Sequence, residues 1–146
     1  MALYIRYLST DPADITLQTL AEALGTADPS YAIAAAGNRR RVMRGEESLG
    51  EIEIAHAAQP LFSEEIEDLK AALADLDELA ARPVRQLFQQ TRAMVVVRVL
   101  WERRDTEETL AGLKPLWDWL LAHRAGLLQI DEEGYFGPQG RVLEVK

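Results

Sequence analysis

Met94-Val-Val-Val-Arg-Val-Leu-Trp101 is the most apolar and most β-branched run in the chain. Apolar side chains fill both alternating sets along it, which marks a strand covered on both faces. One charge, Arg98, sits in its middle. A buried or half-buried arginine must be paired, so its partner is the first question the run raises.

The same pattern recurs at the other end of the chain. Leu3-Tyr-Ile-Arg-Tyr-Leu8 aligns without a gap on Val95-Val-Val-Arg-Val-Leu100, and Arg6 falls on Arg98. Asp11 and Asp105 each precede a helix. Each helix is followed by Gly (Gly25, Gly126), then by two or three strands. Two similar strand-helix-strand-strand halves are therefore expected, about 2–57 and 94–145, joined by a helical connector at about 62–92. They predict an α+β fold in a single domain over 1–146. Its one mixed or antiparallel sheet has helices packed on it.

In the first half, strands are expected at 2–8, 31–36, 39–44 and 49–56, with a helix ending at Gly25 and capped by Asp11 or Asp14. Gly37-Asn38 makes a tight turn. Arg39-Arg40-Arg41 reads as an edge strand guarded by charge rather than as a nucleic-acid patch. In the connector, Ser63 is expected to cap a helix over 62–81 and Pro83 to interrupt it. Glu67, Asp68, Asp75, Asp77 and Glu78 make its outer face acidic, which reads as a solvated surface. In the second half, Arg103-Arg104-Asp105-Thr106 opens a helix to about 124, followed by strands near 127–130, 135–136 and 141–145.

Period-two alternation sorts the strands into faces. Leu3, Ile5 and Tyr7 share the helix-covered face with Val95, Val97, Val99, Trp101, Ile52 and Ile54. The other face carries Tyr4, Arg6, Met94, Val96, Arg98, Glu51 and Glu53, partly covered by the connector helices. What is left is a shallow mixed surface or a groove. By element order the paired modules resemble the bacterial GyrI-like ligand-binding domains and, more loosely, the vicinal oxygen chelate enzymes. Likeness of element order carries no function.

Composition narrows the classes. The chain has 146 residues, 48% apolar and 27% charged, enough for one packed core. It has no Cys, so disulfides, thiol catalysis and cysteine metal sites are excluded. A net charge of −8 argues against nucleic-acid binding and suits a soluble protein, or one with a basic partner. No apolar run is long enough to span a membrane, and the N-terminus reads as a strand rather than a signal peptide. A cytoplasmic location is the expectation. Only three Lys among many Ala and Arg suggests a GC-rich bacterial genome.

No motif with a chemical mechanism survives. There is no Gly-rich phosphate loop and no nucleophile elbow. A metal centre needs converging ligands, and only His56, with Glu144 and one of Asp131, Glu132 or Glu133, offers a set. No catalytic residue, metal site or cofactor is expected from this inventory. Arg6 and Arg98 have two readings. In one, they pair with Glu51 and Glu53 across the sheet. In the other, they present guanidinium forks to an anionic ligand, with Tyr4, Glu51 and Glu53 beside them. On the last long helix, Leu110, Leu113, Trp117, Leu120 and Leu121 make the core stripe. Trp119 falls off it, near His123, and is a candidate anchor for a protein partner or a second copy. The leading expectation is a non-catalytic protein-interaction module, with an immunity or inhibitor protein as its specific version. The alternatives are a small anionic-ligand-binding domain on the sheet face, then a metal-dependent enzyme.

Overall fold

The computed structural model describes residues 3–101 and 104–146. Ala2 of the expected first strand and Arg103 of the expected helix opening lie outside them. In chain order the elements are β1 (Tyr4–Ser9), α1 (Leu17–Ala27), β2 (Tyr31–Ala36), β3 (Arg39–Arg44), β4 (Glu47–His56), α2 (Pro60–Ala72), α3 (Glu78–Gln90), β5 (Ala93–Val99), α4 (Thr106–His123), β6 (Gly126–Ile130), β7 (Gly134–Gly137) and β8 (Gly140–Glu144). The strands form one eight-stranded sheet in the order β2-β3-β4-β5-β1-β6-β7-β8. Every neighbouring pair is antiparallel.

The pattern of β5 explains the layering. Val95, Val97 and Val99 enter one core with Ile5, Tyr7, Ile52 and the inner faces of α1 and α4. Met94 and Val96 enter a second core with Leu8, Tyr135 and the inner faces of α2 and α3. The sheet thus has a helix pair on each face, and β5 is buried on both. Burial pushes the Tyr7 hydroxyl up to about 12, and that hydroxyl donates to the Arg124 carbonyl at 2.6 Å.

The two halves share element order but not strand order. β1 and β5 are neighbours at the centre, paired about Ile5 and Val97, and α1 and α4 lie over the same face. After α1, however, the chain goes to the far edge and walks inward through β2, β3 and β4. After α4 it enters beside β1 and walks outward through β6, β7 and β8. A two-fold exchange of the halves would place β2, not β4, beside β5. The expected internal repeat is therefore not carried by the sheet.

Several local expectations shift for physical reasons. Thr16, not Asp11 or Asp14, caps α1 by accepting from the Thr19 amide. Asp11 instead accepts from the amides of Ala13 and Ala125. Gly25 lies inside α1, which ends at Ala27. Ser63 lies within α2, which starts at Pro60, the position where a missing amide hydrogen is harmless. The connector breaks between α2 and α3, where Asp77 caps the new helix through the Leu79 amide. Pro83 is accommodated inside α3; the carbonyl it leaves unbonded belongs to Leu79, which is 68% exposed to solvent. Pro115 likewise sits within an unbroken α4. The arginine strand β3 is not an edge strand. The edge is β2. No helix among the described residues is long and apolar enough to cross a membrane.

Candidate functional site

Strand register builds a single row of side chains across five strands. Ala34 lies opposite Arg41, Arg41 opposite Glu51, Glu51 opposite Arg98, and Arg98 opposite Tyr4. Directly opposed residues share a face, so this row runs along the face that α2 and α3 partly cover. Its charges alternate from the centre outward as plus at Arg98, minus at Glu51 and plus at Arg41. It ends on a methyl group at the edge.

Glu51 is the hub of the row. Arg98 donates to its Oε1 through Nε at 2.8 Å and also through Nη2. Arg39 Nε stands 3.6 Å from its other oxygen. The Arg98 hydrogen bond holds the Glu51 carboxyl below the usual glutamate range, the charges of Arg98, Arg39 and Arg41 pull the same way, and burial opposes them. Arg98 is therefore answered by the protein's own glutamate, as one of the two readings expected. Arg41 is not. Glu51 is already shared by two guanidinium groups, and Arg41 makes no ion pair or hydrogen bond with any described residue. Its Nε is buried without a partner.

Arg6 departs from expectation. It does not pair with Glu51 or Glu53. Its neighbours across the sheet are Val96 and Gln129, which place it two strands from Glu51. Under α2 it donates from Nε to Glu65 at 2.6 Å, and from Nη1 to Gln129 at 2.7 Å and Asp131 at 2.9 Å. Tyr4 lies beneath its guanidinium at 5.2 Å. With three acceptors satisfied and the residue 6% exposed, Arg6 is a structural clamp between α2 and the sheet. Glu53 lies opposite Val96 rather than an arginine and is exposed.

Tyr4, Glu51, Glu53 and Arg98 do line one cleft, of about 130 Å³, with Arg39 and Arg40 at its side. Arg6 lines a separate one. Period two places the first four on one face of the sheet, and the same period places Arg39 and Arg41 beside them. β3 alternates, so Arg39 and Arg41 share a face with each other and with the glutamate opposite.

The second face is covered unevenly. The core beneath α2 and α3 draws on β1, β5, β7 and β8 and includes no residue of β2 or β3. Ala32 and Ala34 are exposed there, and the Arg39 side chain is 64% exposed. Arg41 shares that face with it, whereas Arg40 and Arg44, opposite Ala35 and Tyr31, alternate onto the first face, where Arg44 lies over the Tyr31 ring at 5.6 Å. The β2–β3 flank is thus an open, basic strip on an acidic protein.

Trp119 is half-buried against the first core. The His123 ring stacks on it at 4.8 Å, and the Arg124 guanidinium stands 5.1 Å from its centre. Exposed His123 also bonds the Trp119 carbonyl through Nδ1 at 2.9 Å. The chain's own groups therefore occupy much of this tryptophan. His56 lies near Ser9's end of the sheet, 3.9 Å from Asp14. Asp131 lies at the Tyr4 end. The one set of ligands that could have met in principle does not converge, and no group of three metal-ligating side chains forms among the described residues.

No family model, no curated protein and no solved structure matches this chain.

Proposed function

We propose that this protein is a non-catalytic, cytoplasmic protein-interaction module that docks its partner on the open β2–β3 flank. The observation that carries the reading is the edge strand itself. Tyr31-Ala-Ile-Ala-Ala-Ala36 is a six-residue edge with no charge, no proline and no covering helix on its second face. Natural sheets blunt such edges with charge, bulges or brevity, because unpaired backbone groups recruit further strands. The other edge, β8, carries Arg141 and Glu144. β2 is left as a template for strand addition, a common way of binding an extended peptide. An immunity or inhibitor role is the finer form of this proposal, in which the added strand belongs to the protein being held.

Less supports a small anionic ligand on the sheet face. The cleft of about 130 Å³ is small beside ordinary ligand pockets of roughly 300 to 1,000 Å³. The guanidinium of Arg6 is engaged with its own acceptors.

Selection from a phage-displayed library of random extended peptides, followed by amide exchange on the complexes, tests the docking reading. Protection of the Tyr31–Ala36 amides by the selected peptides is the expected result. Protection confined to α4 around Trp119 and His123, or to the cleft at Tyr4 and Arg98, would contradict it.

A further inference from the structure

The charge row gives the docking edge a chemical preference. We infer that β2 takes an extended segment of another protein that carries a carboxylate opposite Ala34, where it completes the alternating row through Arg41. The inference rests on the docking reading above and adds the partner's chemistry to it.

Arg41 is the member of the row that feels the Glu51 charge but makes no ion pair or hydrogen bond with a described residue. Its inner neighbour Glu51 is held by Arg98 and Arg39, and its own Nε is buried and unbonded. Such a group leaves a hydrogen bond unmade. On its outer side lies Ala34, which has no atom beyond Cβ. Ala32 and Ala36 lie on either side of Ala34 on the same face. A strand added to β2 stands about 4.8 Å farther out, with only these methyl groups between its side chains and the arginines of β3. A Glu or Asp there would extend the order plus, minus, plus by another minus. Arg39, opposite Ala36, offers a second cation two residues along the same face, so alternate acids on the added strand fit best.

A second copy of this chain fits less well. Antiparallel pairing of β2 with itself keeps both arginine rows on one face, so like charges approach across two strands of alanine. Nucleic acid supplies phosphates but cannot pair with the backbone of an edge strand.

Fluorescence anisotropy with labelled decapeptides decides the matter: alternating Glu-Val, Gln-Val and Lys-Val, with oligo-dT as a polyanion control. The Glu peptide is expected to bind at least tenfold tighter than the Gln peptide and to weaken with added salt, while the Lys peptide does not bind. Arg41→Gln should reduce the Glu peptide to the level of the Gln peptide. Ala34→Glu supplies the carboxylate internally, so it should abolish the preference without lowering the unfolding midpoint. Equal binding of the Glu and Gln peptides overturns the charge inference and leaves the docking reading standing. No peptide binding at all overturns both. Oligo-dT binding that exceeds the Glu peptide, or self-association in sedimentation that Ala34→Glu abolishes, overturns the proposed partner.

Discussion

Arg6 and Arg98 occupy matching places in two similar strands and do different work. Arg6 is enclosed: its side chain is 7% exposed and its partner Glu65 only 12%. Removing one member of such a pair leaves a buried charge without its counterion. Arg6→Met is expected to destabilise the fold by about 3 to 5 kcal/mol in urea denaturation, and adding Glu65→Gln should recover part of that loss. A loss of less than about 1 kcal/mol would put Arg6 in the class of surface pairs. Arg98 has a side chain 41% exposed, so water screens it and its removal should matter less. Its mark is on Glu51. That carboxyl titrates below its ordinary value of 4.5, so its contribution is present above that pH and lost as pH falls through the lower, folded value. Glu51→Gln should flatten the acid limb of a stability-against-pH curve below about pH 4.5, while leaving the pH-dependence near neutrality unchanged.

At the scale of elements, glycine marks where the second half joins the first. Gly126 opens β6 opposite Ser9, with a positive φ of 153°. A Cβ there would be driven into the Leu8 carbonyl oxygen, which is backbone and cannot swing away. Gly126→Ala should destabilise by about 1 to 3 kcal/mol from backbone strain alone, read as a lowered thermal midpoint with the β1–β6 amides exchanging first. Gly25, which the sequence pattern assigned to a helix end, has open space around it and an ordinary φ. Gly25→Ala should therefore raise helix stability, by about 1 kcal/mol at most. Both substitutions are conservative, and opposite outcomes are expected because one glycine faces backbone and the other faces solvent.

For the molecule as a whole, the periodicities were legible and the connections were not. Two-way burial of β5 follows from apolar residues in both alternating sets, and the sorting of Ile5, Val97 and Ile52 to one core was readable from period two alone. The pairing of Arg98 with Glu51 was readable as a cross-strand possibility. Arg6 was not, because its acceptors Glu65, Gln129 and Asp131 lie far along the chain and meet only when α2 folds over the sheet. The edge was also hidden. A run of arginines resembles a guarded edge until the strand order shows alanine-rich β2 outside it. That order turns a protective feature into an unanswered charge beside an open template.

The central claim is that Arg41 is the unanswered cation of the row and β2 the place where it is answered. Arginine Nε–Hε NMR signals report on it directly. On addition of the alternating Glu-Val peptide, the Arg41 signal should shift and gain protection from exchange, while the Arg98 signal, already bonded to Glu51, and the enclosed Arg6 signal stay in place. Movement of Arg98 or Arg6 with Arg41 unchanged would contradict the account.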